Sequence, residues 1–307
     1  MRKVIGIGET IFDIIFKNNQ PTAGVPGGST FNSLISLGRT GTPVCFISET
    51  GCDQVGKIIL DFMRENGVST EYVQVYPDGK SPISLAFLDE QSNAHYQFYK
   101  DYPACRLDID FPTINPDDIV LFGSYFALNP VLRKKMCEFL DYARKQGAII
   151  YYDVNFRSTH SNEMMKLTPT IIENFEYANI VRGSDEDFYN MYQLQDSADI
   201  YRQKISFYCR NFICTRGAQG VNLHTPSWTK NYAVSSINPV STIGAGDNFN
   251  AGIAFGLLRH RIRLDDINDL NENDWDNIIR CGIDFSTQVC LSLDNYLPVD
   301  FARNYAK

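Results

Sequence analysis

Residues 242–252 read Thr242-Ile243-Gly244-Ala245-Gly246-Asp247-Asn248-Phe249-Asn250-Ala251-Gly252. Two glycines flank one small residue, so the backbone can turn tightly and present bare N–H groups. An apolar helix is predicted from about 246 to 259, with Asp247 in its first turn. A helix N-terminus binds anions through unpaired amides and the helix dipole. A carboxylate in the same turn can take a proton from a nucleophile while the amides hold developing negative charge. An aspartate behind a glycine turn is equally an ordinary helix cap, so the rest of the chain must decide between the two.

Working outward, Val4-Ile5-Gly6-Ile7 reads as a buried first strand. To about residue 110 the pattern is mixed. A helix follows Gly27-Gly28, a strand covers 43–49, a helix lies near 54–66, and strands lie at 71–75, 82–88 and 95–99. From about 117, strands alternate with helices. The strands are Ile119–Phe122, Ala148–Tyr152, Ile180-Val181 and Asn211–Thr215; the helices cover 130–146, 185–192 and 197–208. A hairpin over 220–234 and helices over 246–259 and 273–290 complete the chain. This alternation predicts an α/β fold, a mainly parallel sheet flanked by helices. The short strands at about 10–20 and 70–100 do not fit that layer and are assigned to a small β-sheet lid. With no internal repeat and no Pro/Ser-rich linker, residues 1–307 read as a single α/β domain.

Composition narrows the function classes. An apolar fraction of 44% and a charged fraction of 21% exclude disorder and small disulfide scaffolds. Lys and Arg total 28 against 36 Asp and Glu, a net charge of −8 with no basic block. That excludes the footprint of a nucleic-acid binder or a polybasic membrane anchor. The eight cysteines contain no C-x-x-C, sit mostly in apolar runs, and are accompanied by four histidines without ligand spacing. Core thiols in a reducing compartment follow. Glu9 and Asp13 interrupt any signal-like apolar segment, and no run approaches the ~18 residues of a membrane span, so a cytoplasmic location is expected. The acidic stretch Asp265 to Asp276 reads as solvated surface.

Two phosphate-binding motifs are absent. Gly6-Ile7-Gly8 would need a third glycine at position 11, which is Ile, so the dinucleotide fingerprint fails and a close-packed strand end remains. No G-x-x-x-x-G-K-[ST] loop occurs.

What does occur, in order along most of the chain, resembles the ribokinase-like (PfkB) family of carbohydrate kinases, nearest in motif to fructokinase and 2-keto-3-deoxygluconate kinase members. Thr242 to Asp247 resembles that family's carboxy-terminal signature. By this resemblance Asp247 is the catalytic base, the amides of Gly244, Ala245 and Gly246 form the anion hole, and Thr242 lies at the nucleotide. Gly27-Gly28-Ser29-Thr30-Phe31-Asn32 resembles the amino-terminal signature, implying sugar contacts from Gly27, Gly28 and Asn32. Gly8 to Asp13 is similar to the opening strand of sugar kinases, whose aspartate, here Asp13, holds the sugar.

Further segments agree. Asp153-Val154-Asn155-Phe156-Arg157 follows a parallel strand, where open α/β sheets place ligands. It is similar to a D-x-N-x-R element that implies a sugar contact from Asn155 and a phosphate contact from Arg157. Gly183-Ser184-Asp185-Glu186 stands in place of the N-x-x-E element, so Glu186 would organise magnesium through water. Thr215-Arg216-Gly217-Ala218-Gln219-Gly220 matches a T-x-G-x-x-G nucleotide loop, implicating Thr215, Gly217 and Gly220. His95-Tyr96-Gln97-Phe98-Tyr99-Lys100 resembles a lid segment, with Tyr96 and Phe98 stacking over the sugar and Lys100 in place of the usual arginine.

The resemblance implies ATP and Mg2+ as cofactors and a homodimer paired through the lid. Ser241 stands where aspartate is usual, so K+ dependence does not transfer with the rest. The expected reaction is phosphorylation of a primary hydroxyl on a small sugar, with fructose first. A keto acid such as 2-keto-3-deoxygluconate is second and would want an extra cation, Lys100 or Arg106. A non-catalytic sugar sensor on the same fold is the competing class, separated by whether sugar triggers ATP consumption.

Overall fold

The computed structural model describes residues 2–88 and 94–307, with Leu88, Ala94 and Tyr96 described by backbone alone. In chain order the strands are β1 Val4–Ile7, β2 Ile11–Lys17, β3 Gln20–Gly27, β4 Val44–Gly51, β5 Val68–Ser69, β6 Val73–Tyr76, β7 Lys80–Leu88, β8 Ala94–Asp101, β9 Ile119–Gly123, β10 Ile149–Asp153, β11 Ile180–Ser184, β12 Asn211–Thr215, β13 Val221–His224 and β14 Thr229–Tyr232. The helices are α1 Ser29–Arg39, α2 Gln54–Glu65, α3 Arg133–Lys145, α4 Met164–Tyr177, α5 Asp185–Tyr192, α6 Ser197–Ile200, α7 Ala245–Arg259, α8 Glu272–Cys290 and α9 Val299–Tyr305.

Among the described residues, ten strands form the large sheet, in the order β14-β13-β12-β11-β10-β9-β1-β4-β5 with β6 added beside β4. From β12 to β5 the pairings are parallel; β13 and β14 close one edge antiparallel. Parallel strands covered on both faces need apolar residues at every position, and β1, β9 and β10 are buried throughout. One apolar layer, including Phe31, Leu34, Phe249, Ile253 and Phe285, lies on one face, and another, including Phe139, Leu140, Phe175 and Phe188, on the other.

The chain leaves β1 toward β4 on one side and later returns to β9 on the other. The carboxyl ends of β1 and β9 therefore flank the switch point where such sheets bind ligands. The Gly6-Ile7-Gly8 segment serves packing: a Cβ on Gly6 would meet Leu34 Cδ1 at 2.5 Å, and one on Gly8 would meet Thr30 Oγ1 at 2.8 Å. Bare backbone lets α1 lie directly on β1.

A second, four-stranded sheet has the order β3-β2-β7-β8. It contains the strands expected near 10–20, 82–88 and 95–99. The strand expected at 71–75 does not join it: β6 pairs parallel with β4, Ser48 opposite Val73. The second pair of strands in the small sheet thus begins at Lys80 rather than 70. Two further differences concern helices. The helix expected over 197–208 is α6 followed by a π-turn at Tyr201–Ile205. Helix α4, with Pro169 inside it, has no counterpart in the pattern reading.

Gly6→Val should overpack the α1–β1 seam and lower stability by about 1–3 kcal/mol. A urea midpoint equal to the parent's would contradict that packing.

Candidate active site

Helix α7 is buried from Asn248 through Leu257, and its polar start, residues 245–247, is partly exposed. Gly244 caps it with φ +77, and a Cβ there would approach the Asn295 carbonyl oxygen at 2.9 Å. Asn248 fastens this corner, its Nδ2 donating to the carbonyls of Gly244 at 2.8 Å and Asn295 at 2.9 Å. Of the three amides expected to form an anion hole, that of Ala245 is already engaged, closing a turn on the Thr242 carbonyl at 3.2 Å. The amides of Gly244 and Gly246 donate to no other described residue. Thr242 itself is exposed.

Asp247 sits in that first turn and is gripped by α1. Ser29 Oγ donates to Oδ1 at 2.7 Å, Asn32 Nδ2 donates to Oδ2 at 2.8 Å, and Ser33 Oγ donates to the Asp247 carbonyl at 2.7 Å. Burial pushes the carboxyl up to about 6; the two donated hydrogen bonds oppose this, nearby Asp153 adds to it, and Arg157 opposes it. Arg157, exposed just past β10, therefore lies within electrostatic reach of Asp247.

Beside Asp247, hydrogen-bond acceptors from β2 and α1 come together. Asn32 Oδ1 is buried with no partner among the described residues. A Cβ on Gly27 would stand 2.8 Å from Asp13 Oδ2 and 3.9 Å from Asn32 Oδ1, so a side chain there would crowd both oxygens. Ser84 from β7 donates to the other Asp13 oxygen. Burial raises the Asp13 pKa, the Ser84 bond lowers it, and Glu9 raises it. Gly28, with φ +126, lies against the Glu9 carbonyl. At the mouths of β9 and β10, Ser124 and Asn155 both have positive φ, +55 and +37, and Asn155 Nδ2 donates to Ser124 Oγ at 2.7 Å.

Lid groups close over this side. Lys100 Nζ bridges Glu9 at 2.7 and 2.8 Å and stands 5.0 Å above the Phe98 ring, and Tyr102 donates to Glu9 at 2.7 Å. The Tyr96 side chain lies outside the described residues. Arg106 is not an open cation: it is locked in a buried ion pair with Glu49, whose other oxygen accepts from Tyr76 at 2.6 Å.

In the loop after β12, Gly217 (φ +51) and Gly220 (φ +98) shape a tight turn in which the Gly220 amide donates to the Gly217 carbonyl at 3.1 Å. The Thr215 hydroxyl accepts from Arg182 Nη2 at 2.6 Å. Glu186 is exposed in the first turn of α5. Its neighbour Asp187 is drawn inward, accepting from the Ser184 amide and hydroxyl at 2.7 and 2.8 Å and from the Phe156 amide at 2.8 Å. Ser241 Oγ accepts the Ile243 amide at 3.2 Å. Arg182 is a site residue that sequence reasoning missed. Its signal is a lone arginine directly after the apolar pair Ile180-Val181, a charge inside a buried central strand that needs a partner.

A family model described as pfkB family carbohydrate kinase matches residues 1–299. A probable chloroplastic fructokinase-6 of Arabidopsis thaliana is 24% identical over 80% of this chain; the chain spans 66% of the plant protein. A 5-dehydro-2-deoxygluconokinase of Geobacillus kaustophilus is 28% identical over 76% of this chain and 72% of its own. Among solved structures, the fructokinase from Vibrio cholerae O395 in its fructose, ADP and calcium ion bound form has a TM-score of 0.86 at 19% identity, covering 100% of this chain and 99% of that one. The aminoimidazole riboside kinase from Salmonella enterica, complexed with aminoimidazole riboside and an ATP analog, has a TM-score of 0.83 at 20% identity, covering all of both chains. The chain belongs to the pfkB family of carbohydrate kinases and is an ATP-dependent sugar kinase.

The raised Asp247 pKa has a stability consequence. Its ordinary value is 3.8 and its folded value about 6, so it favours the fold below pH 4 and loses that contribution as pH rises through 6. Asp247→Asn should therefore melt at or above the parent temperature at pH 8, the difference shrinking toward pH 4. A pH-independent difference in melting temperature would contradict the buried-carboxylate account.

Proposed function

We propose that this kinase transfers the γ-phosphoryl group of ATP to a primary hydroxyl of a small sugar, fructose in the first instance. The single observation behind the chemistry is Asp247, held by Ser29 and Asn32 in the first turn of α7 beside the open Gly244 and Gly246 amides. Asp247 takes the hydroxyl proton as the sugar oxygen attacks the γ-phosphorus. The bond from that phosphorus to the bridging oxygen breaks, and ADP leaves. A carboxylate titrating near 6 is mostly ionised at neutral pH yet basic enough to accept a proton, which suits a general base. The amides and Arg157 meet the charge spread over the transferring group; positioning and electrostatics do most of the work in phosphoryl transfer.

The sugar reading rests on these clustered acceptors. Asp13 Oδ2 and Asn32 Oδ1 call for hydroxyl donors, and the family resemblance adds Gly27, Gly28, Asn155, Lys100, Tyr96 and Phe98 as sugar contacts. The nucleotide would lie across Thr215, Gly217, Gly220 and Thr242. Magnesium accompanying ATP would neutralise charge on its phosphates; such an ion keeps several waters and needs one or two protein carboxylates, which the exposed Glu186 fits. Ser241 offers a hydroxyl rather than a charge, so K+ activation is not part of the proposal.

A keto acid such as 2-keto-3-deoxygluconate is the second reading. Arg106 is sealed against Glu49 and Lys100 is paired with Glu9, so such a carboxylate would have to draw Lys100, the more exposed of the two, from its partner. The chain acts as one domain over 1–307 in a cytoplasmic, reducing setting, which the buried thiols Cys45, Cys209, Cys214, Cys281 and Cys290 suit. A homodimer through the lid is proposed on the ground that β3 and β8 are open edge strands of the small sheet.

ADP release should depend on an added acceptor when fructose, 2-keto-3-deoxygluconate, ribose, tagatose and nucleosides are screened with and without potassium. Release from no acceptor would favour the silent sensor. Asp247→Asn should lose about 10²–10⁴ in turnover, and parent turnover should fall with acid through about pH 6; undiminished turnover of the variant removes Asp247 from the base role.

A further inference from the structure

Beneath the first turn of α7 lies a charged cluster contributed by three adjacent strands. Arg182 from β11 is 6% exposed and Asp153 from β10 is 3% exposed. Arg182 Nη1 donates to Asp153 Oδ1 at 2.9 Å, and Nη2 donates to the Thr215 hydroxyl, from β12, at 2.6 Å. The register sets Asp153 directly beside Arg182. A buried ion pair returns little or no net stability compared with apolar residues of similar size. This one also leaves Arg182 Nε and Asp153 Oδ2 buried without partners among the described residues. Stability is therefore a poor explanation for it.

Its position offers a better one. The guanidinium lies flat under Gly246: a Cβ there would stand 3.0 Å from Nη2, 3.1 Å from Nη1 and 3.4 Å from Cζ. The same group is 5.8 Å from the centre of the Phe249 ring, one turn along α7. A cation at the positive end of a helix dipole is unfavourable in itself. The arrangement becomes favourable when an anion arrives on the other side of the same turn.

We propose that Arg182 is a positioning residue for phosphoryl transfer. Held by Asp153 and Thr215, it seats the first turn of α7 and adds positive potential behind the Gly244 and Gly246 amides. It acts through that turn rather than on the phosphate, and Gly246 must lack a side chain so that the turn can rest on the guanidinium. The inference rests on the assignment of Asp247 and the α7 amides made above.

The test replaces the pair by neutral residues, Arg182→Met with Asp153→Asn, so that no lone buried charge remains. Kinetics are read by ADP release with MgATP and whichever screened acceptor turns over fastest. The double variant should melt no lower than the parent, turn over at least about tenfold more slowly, and keep the acceptor KM within about threefold. Arg182→Lys, which restores the charge without the flat contact, should recover part of the loss. A folded double variant within threefold of parent turnover, with Asp247→Asn inactive, overturns the Arg182 role and leaves the base assignment standing. If Asp247→Asn is itself fully active, both fall. Should the double variant not fold, Arg182→Lys decides: parent turnover overturns the proposal, and reduced turnover at unchanged KM upholds it.

Discussion

A helix with a buried body must still bring its four unpaired amides to rest somewhere. In α7 the run from Asn248 to Leu257 is enclosed between the large sheet, α1 and α8. Its start is therefore the one place where the unpaired groups can meet a partner, and that place is the crevice at the carboxyl edge of the sheet. The rest of the site answers to this. Helix α1 supplies three hydroxyl or amide donors to a single residue of α7, Asn248 fixes the corner before it, and three strands place an ion pair under it.

The molecule's charge is distributed to the same end. A net charge of −8 would repel a nucleotide at long range, but charge close to the site is arranged separately from the surface total. Potentials at a concave site depend on the few groups lining it and on low-dielectric walls around them. On the proposed reading those are backbone amides, Arg157 and, behind them, Arg182, while Lys100 and Arg106 are each matched by a carboxylate, Glu9 and Glu49.

Much of this was legible in the sequence because its cause is local. Parallel strands need unbroken apolar runs, so Val4–Ile7, Ile119–Phe122 and Asn211–Thr215 announce themselves, and glycines before an apolar helix announce α7. What was not legible depended on partners distant in the chain. Val73–Tyr76 has the same look as the lid strands, and only its pairing with β4, some 25 residues earlier, assigns it to the large sheet. Helix α4 was hidden by Pro169 in its interior. Arg106 read as an available cation because nothing near it in sequence reveals Glu49. The Ala245 amide looked open because its turn to Thr242 is a matter of backbone geometry. The order of the motifs pointed to the family; which side chains come together, and which are already paired, required the fold.

The linked pair Ser124 and Asn155 lends itself to a different kind of reading. Each holds a backbone conformation that costs side-chain-bearing residues about 1–3 kcal/mol, at the mouths of neighbouring strands. To someone engineering heat resistance, both positions invite glycine, which adopts such angles freely. The exchange would relax the chain where it is most tightly wound and erase the side-chain hydrogen bond that keeps those two mouths in step. A thermostability screen scored only on melting would select for that loss, so at these positions the strain is better treated as part of the working parts than as a defect awaiting repair.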